Sequence, residues 1–223
     1  MPQAQRVTRR DEYAAATRQA ILDAARKLFA ERGYFATKVD DIAAKARVAP
    51  ATVYAVTGGK YGLLTELIRT WTTDPIVKTA TARMVEMTDP VSIIRELAAG
   101  SRRMREQYAD IMRVILATAP HDEAVARALA DATSVYRTAF VPIAERLAKL
   151  GALRRGIDVA AAIDLFWFYF GYTAYFTLHD DNGWSYERAE HWLADQACRE
   201  LLSESRKRAG TRADTPRKKG KRR

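Results

Sequence analysis

The chain has a single cysteine, Cys198, among its 223 residues. That excludes an intramolecular disulfide framework and a cysteine-rich zinc module, and it fits a reducing compartment. Long apolar runs are scarce too. The most apolar stretch, Leu165 to Leu178, spans 14 residues, short of the roughly 18 to 20 that a bilayer crossing needs, so it reads as buried core and no membrane partner is expected. The start of the chain is polar and basic without an apolar h-region. A secretory leader is therefore not expected, and a cytoplasmic location is. The three histidines, His121, His179 and His191, are scattered, and His179 beside Asp180 and Asp181 lacks a second histidine at ligand spacing. No metal site is expected. Asp122 and Glu123 open a helix, where acidic residues suit the dipole, and Cys198 has no recognisable base partner. Gly58-Gly59-Lys60 lacks the earlier glycine, the following Ser or Thr and the preceding strand of a nucleotide-binding loop. With no catalytic constellation and no cofactor motif, an enzyme is not expected.

What the sequence does have is ordinary core material and an uneven charge. Apolar residues make up 48% and charged residues 29%, enough for a folded unit of this length. The net charge is +10, a sign that favours phosphate-bearing partners. Residues 1–60 hold 11 basic and 6 acidic residues, 61–203 hold 16 and 19, and 204–223 hold 10 and 2. Both ends are basic, and the middle is slightly acidic.

Almost every periodic segment has helical spacing. Ile21, Leu22, Ala25, Leu28 and Phe29 recur at steps of three and four, with Gly33 as the stop. Thr37, three residues before Asp40, reads as the cap of a short helix through Ile42, Ala43 and Ala46. Pro50 fits the first turn of a second short helix that ends at Gly58 and Gly59. A fourth helix starts near Lys60 and carries Leu63, Leu64, Leu67, Ile68 and Trp71. Helical spacing then continues to residue 203, broken at Asp74–Pro75, Asp89–Pro90, Pro120, 151–156 and 180–183. Pro142 is a candidate kink in the helix that starts near Asp122. The expectation is an all-α chain: a flexible basic arm at 1–16, a three-helix domain with a helix-turn-helix at 17–62, a larger helical domain at 63–203 and a disordered basic tail at 204–223.

Val39 to Val56 reads as helix, sharp turn, helix. Ile42, Ala46, Val48, Val53 and Val56 would pack inward against the first helix, leaving Ala49, Pro50, Ala51, Thr52 and Tyr54 outward. Short side chains there permit close approach to a major groove. Thr52 could meet a base edge, and Tyr54 a phosphate. Lys60 at a helix N-terminus, Thr37, Lys45 and Arg47 complete the expected set of duplex contacts. A plain three-helix bundle remains the alternative.

The run ATKVDDIAAKARVAPATVYAVTGGKYGLL at residues 36–64, preceded by TRQAILDAARKLFAERG at 17–33, resembles the DNA-binding segment of the tetracycline-repressor (TetR) family. The likeness rests on Thr37, Ile42-Ala43, Ala46, Val48, Thr52-Val53-Tyr54 and Lys60, and it covers about 50 residues. It implies a homodimer, a recognition helix at about Pro50 to Val56 and an effector-binding C-terminal domain. Three positions depart from the family pattern. Arg47 stands at the usual turn glycine, where a non-glycine residue at positive φ costs on the order of 1 kcal/mol. Ala49 replaces the usual capping serine, and Val56-Thr57 replaces a Tyr-Phe pair.

The segment 161–178 is apolar on all sides and so must be covered on both. One face would form a dimer contact with the last helix, through Phe168, Tyr172, Tyr175, Phe176, Trp192 and Ala197. The other, Phe166, Trp167 and Phe170, would line a ligand pocket with Met84, Met87, Met104, Tyr108 and Met112, a pocket that only the family resemblance makes an expectation. Arg102, Arg103 and Arg105 could anchor an anion or form a solvated face. The expected function is a ligand-responsive regulator, a repressor released from a pseudo-palindromic double-stranded DNA operator by a small hydrophobic or aromatic effector. The alternative is an effector-independent architectural or constitutive DNA-binding factor with a fully packed C-terminal domain. The basic tail would add nonspecific DNA affinity or serve as a solubilising end.

Overall fold

The computed structural model describes residues 8–203, and these form helices throughout, with one isolated antiparallel bridge between Leu153 and Leu202. Helix α1 runs from Arg9 to Arg32. It begins eight residues before the expected domain boundary at 17, so residues 9–16 are helix rather than a flexible arm. The reason is a reciprocal cap: the Asp11 amide donates to Thr8 Oγ1 and the Thr8 amide donates to Asp11 Oδ2 at 3.0 Å, after which Ala14, Ala15 and Ala16 favour helix. Residues 1–7 of the expected arm and the expected tail at 204–223 lie outside the described residues.

Three shorter helices follow: α2 (Val39–Ala46), α3 (Pro50–Thr57) and α4 (Lys60–Thr72). Ile21, Ala25 and Phe29 of α1, Ile42 and Ala43 of α2, Val53 of α3 and Leu63 and Leu64 of α4 are all buried. These helices form one compact unit together with residues Tyr108–Thr133. Within that unit Arg26 grips Asp110 through two hydrogen bonds of 2.7 Å. Burial alone would raise the Asp110 carboxyl, but the guanidinium fork holds it below the ordinary carboxylate value.

The second unit comprises, among the described residues, Asp74–Gln107 and residues 134–203. It contains α5 (Pro75–Glu86) and most of α6 (Pro90–Thr118), together with α7 (Glu123–Lys149) from Ser134 on. Next come α8 (Val159–Phe170), α9 (Tyr172–Phe176), a π-helical turn at Thr177–Asp181 and α10 (Tyr186–Leu201). Pro142 lies inside α7 without ending it. Ile93, Ile94, Phe140, Leu147, Phe166, Phe170 and Leu193 are among the buried residues of its core.

The apolar stretch 161–178 is not the continuous helix that its composition suggests. It breaks at Gly171, whose backbone is extended at φ −68° and ψ −173°, and a Cβ there would fall 2.3 Å from the Trp167 carbonyl oxygen. The two faces drawn through residue 178 by helical spacing therefore hold only as far as Phe170. Among the described residues no helix is long and apolar enough to cross a membrane.

Candidate functional site

The first candidate site is the outer face of α3. Pro50 occupies the first turn, where its missing N–H is not needed, and Gly58 closes the helix in the left-handed region at φ 72°. Ala49 caps the helix without a side-chain hydrogen bond, as the loss of a serine there predicts. Val53 points inward and is fully buried. Ala49, Pro50, Ala51 and Tyr54 are exposed, Tyr54 at 56%, and Thr52 is half-buried at the edge of the same face. The Tyr54 ring lies over Gly59, where a Cβ would come within 3.1 Å of it. Lys45 and Arg47 are exposed at the end of α2, just before this helix.

Arg47 is the only non-glycine residue with positive φ among the described residues, at φ 58° and ψ 44°. Its own amide and that of Val48 close the end of α2 on the Ala44 and Ala43 carbonyls, at 3.2 and 3.0 Å. The turn that usually takes glycine is thus made in the same conformation by an arginine, whose guanidinium has no partner among the described residues.

Lys60 begins α4 with its Nζ 3.4 Å from the Phe35 carbonyl oxygen and 4.5 Å from the Tyr34 ring centroid. Partial burial holds its ammonium below the ordinary lysine pKa. The cation is thereby fixed in place, with hydrogens to spare for a phosphate.

Thr37 requires a correction. It is buried, and its hydroxyl lies 2.8 Å from the Gly33 carbonyl oxygen and 3.2 Å from that of Leu28, sharing one proton between them. The cap of α2 falls one residue later, where the Lys38 amide donates to Asp41 Oδ2 at 3.2 Å. Both Thr37/Asp40 and Lys38/Asp41 have cap spacing, and burial of Thr37 against α1 decides between them. Its side chain ties the loop to α1 and does not face a duplex.

Arg18 was not singled out by its sequence. It donates to the Val56 carbonyl oxygen at 2.8 Å and pairs with Glu66 at 3.0 Å, clasping the end of α3 between α1 and α4. Two hydrogen bonds from Arg69, helped by Arg18 and opposed by burial, hold the Glu66 carboxyl below its ordinary pKa. Here Arg18 takes over anchoring of the segment that carries Val56-Thr57.

The second unit contains a small cavity of about 40 Å³ lined by α5, α6 and α7. Of the expected ligand residues, Met84 and Met104 line it. The others do not. Phe166 and Phe170 are core, with Phe166 packed against Phe140 at 5.7 Å, and Met87 lies against the same core. Tyr108 and Met112 belong to the first unit, where Tyr108 lies under Arg26 at 5.5 Å. Trp167 lines a different depression, a surface groove of about 560 Å³ shared with Phe168, Tyr172, Thr173 and Trp192.

That groove collects part of the expected dimer face. Phe168 is 69% exposed and Trp192 44%, and Phe176 is half-buried. Tyr175 and Ala197 are corrections, because both are wholly buried within the chain, whereas Tyr172 is largely buried but lines the groove. The break at Gly171 turns Tyr175 inward, where its hydroxyl donates to the Ala98 carbonyl oxygen at 2.9 Å. Arg102 and Arg103 form the solvated pairs expected of surface arginines, whereas Arg105 is wholly buried. His179 is engaged structurally: its Nδ1 lies 2.7 Å from the Trp184 carbonyl oxygen and its ring stacks on Tyr186 at 4.0 Å.

Comparison with known proteins bears on the same face. Residues 21–67 match the family model of the bacterial regulatory proteins of the tetR family, a span that contains α2 and α3. The chain is 29% identical over 171 residues to the uncharacterized HTH-type transcriptional regulator YdeS of Bacillus subtilis, covering 73% of this chain and 79% of that one. In fold it is similar to the SmeT–triclosan complex, with a TM-score of 0.71 at 19% identity, covering 86% of this chain and 94% of SmeT. It is also similar to the regulator FadR of Bacillus subtilis in complex with stearoyl-CoA, with a TM-score of 0.67 at 16% identity, covering 81% and 97%. The helix-turn-helix geometry and the matched segment agree: residues 21–67 are similar to the tetR family of bacterial regulatory proteins, and the described residues share the all-helical fold of the solved regulators.

Proposed function

We propose that the chain is a homodimeric, cytoplasmic repressor whose two α3 helices enter successive major grooves of a pseudo-palindromic operator and which a small molecule releases. The observation that carries this reading is the outer face of α3, where Ala49, Pro50 and Ala51 leave backbone-close access and Tyr54 stands exposed, with an exposed Arg47 in the turn before the helix and Lys60 opening the helix after it. A helix with so little bulk on its outer side fits a groove about 12 Å wide. The duplex contacts are assigned to Lys45, Arg47, Ala49, Pro50, Ala51, Thr52, Tyr54 and Lys60, bases being read by the α3 side chains and phosphates held by Tyr54 and the cations.

The exposed aromatics Phe168 and Trp192 support a second copy as the cover of their groove. A dimer sets half-sites about one helical turn or slightly more apart. Ligands named for SmeT and FadR, triclosan and stearoyl-CoA, support an effector in the second unit, and the cavity that Met84 and Met104 line beside α5 supports that location for it. A ligand favouring one dimer arrangement by roughly 1 to 3 kcal/mol changes operator affinity about 5- to 150-fold. The small size of the cavity favours the rival, an effector-independent DNA-binding factor.

Selection of bound sites from random duplex DNA by the purified protein tests the reading. A two-fold-symmetric site, lost on Tyr54→Ala or Lys60→Ala with dimerisation intact, is the expected outcome. Recovery of no preferred sequence contradicts it. Mass spectrometry of compounds released from the purified protein separates the two regulators, since the rival releases none.

A further inference from the structure

Arg105 is the most buried charge among the described residues: its side chain is 0% exposed and no carboxylate pairs with it. Its neighbours differ. Arg102 pairs with Glu190 and Glu106, and Arg103 pairs with Glu96 at 3.1 Å. The Arg105 guanidinium is a full positive charge with five N–H donors. What surrounds it supplies only dipoles and ring faces. Nη2 donates to the Phe170 carbonyl oxygen at 2.9 Å, the last carbonyl of α8, and Nη1 donates to the Tyr136 hydroxyl at 3.4 Å. The rings of Tyr136, Tyr172 and Tyr175 lie 5.5 to 5.7 Å away. Nε has no hydrogen-bond partner among the described residues. Tyr175 does not provide the missing anion, since burial raises its phenol pKa and its proton is engaged on Ala98. A full cation held in low dielectric by partial charges alone is an unbalanced arrangement.

The cavity bounded by Met84, Leu97, Met104 and Phe140 is lined mostly by apolar side chains; its polar side chains are Thr81, Ser101 and Tyr136, and the last two meet with their hydroxyl oxygens 3.5 Å apart. The Tyr136 hydroxyl is the same one that receives Arg105, so a single hydroxyl separates the cavity from the buried charge. It also donates to the Phe170 carbonyl oxygen at 3.2 Å.

We infer that this cavity is an acid-binding site: it takes a small amphiphilic carboxylate whose headgroup is received by Ser101, Tyr136 and Arg105 and whose hydrocarbon body lies among Met84, Leu97 and Met104. The inference rests on the reading that the second unit holds an effector, and it adds the effector's charge. A monocarboxylate matches one uncompensated cation, and the guanidinium fork suits its two oxygens. At about 40 Å³ the empty cavity has room for a few water molecules, so the body must displace the two methionine side chains, the most adaptable of core residues.

The experiment is calorimetric titration of the full-length protein with hexanoate, octanoate and decanoate, each against the 1-alkanol of equal length. The acids are expected to bind at least about tenfold more tightly than the alcohols, the scale of one charge-assisted pair. Arg105→Met should abolish that preference and Arg105→Lys should retain part of it, with circular dichroism confirming fold. If Arg105→Met fails to fold, the wild-type comparison of acid with alcohol decides alone. Equal binding of acids and alcohols, or a preference surviving in Arg105→Met, overturns the acid site but leaves an uncharged effector standing. No binding by any alkanoate overturns it as well, and release of the selected operator by an uncharged compound would then show that the effector reading survives without it.

Discussion

Replacing Arg47 with glycine separates two effects that this residue combines. Its backbone sits at φ 58° and ψ 44°, where an L-residue with a Cβ is strained by roughly 1 to 2 kcal/mol relative to right-handed backbone. Glycine removes that strain but loses about 0.5 to 1 kcal/mol more conformational freedom on folding. The difference leaves a net gain of about 0.5 to 1 kcal/mol, because the exposed side chain has no partner whose loss would offset it. Urea unfolding should therefore show a higher midpoint at unchanged slope. Operator binding should move the other way. If the guanidinium holds a phosphate, its removal lowers the slope of log affinity against log salt by about 0.9 and weakens binding several-fold at low salt. Arg47→Lys should keep the salt slope without the gain in stability. A glycine variant no more stable than the parent would refute the strain argument, and an unchanged salt slope would remove Arg47 from the interface.

Two further outcomes follow from groups in the first unit. Thr37→Val removes a buried hydroxyl that ties the loop to α1, so thermal unfolding should register a loss of about 1 to 2 kcal/mol while the folded fraction binds operator as before. A loss of DNA affinity without a loss of stability would instead return Thr37 to the interface. Asp110 has a carboxyl held below its ordinary value of 3.8 by Arg26, so its contribution is complete above that pH and is lost as pH falls through the folded-state value. Because the pair is partly exposed, Asp110→Asn should cost less than about 1 kcal/mol near neutrality and flatten the acid limb of the stability profile, as read by unfolding at a series of pH values.

The helix-turn-helix unit was legible in the chain because its signals are local. Ile42, Ala43 and Val53 recur at helical spacing, Pro50 and Gly58 bracket one short helix, and position 47 must turn left-handed whatever residue stands there. Thr37 was misread because two adjacent residues offer the same cap spacing, and only packing against α1 distinguishes them. The second unit was harder to read because its deciding contacts are distant in sequence. An unbroken apolar run conceals the break at Gly171, since the Phe170 carbonyl freed there is satisfied by Tyr136 and Arg105 from other helices. Arg105 itself carried a usable signal. It falls with Ala98, Ser101, Met104 and Tyr108 on the three-and-four register of the buried side of α6, whereas Arg102 and Arg103 fall off that register. The three arginines read as one charged cluster, although helical spacing divides them.

The claim on which the rest depends is that the outer face of α3 lies against a duplex. Ala51→Glu places a carboxylate in the middle of that face without touching the buried Val53, and Ala30→Glu adds the same charge at an exposed position of α1. Fluorescence anisotropy on the selected operator should show at least about a hundredfold loss for Ala51→Glu, as expected when a like charge meets phosphate at close quarters, and little change for Ala30→Glu, with both variants melting as the parent does. Undiminished binding by Ala51→Glu would contradict the account.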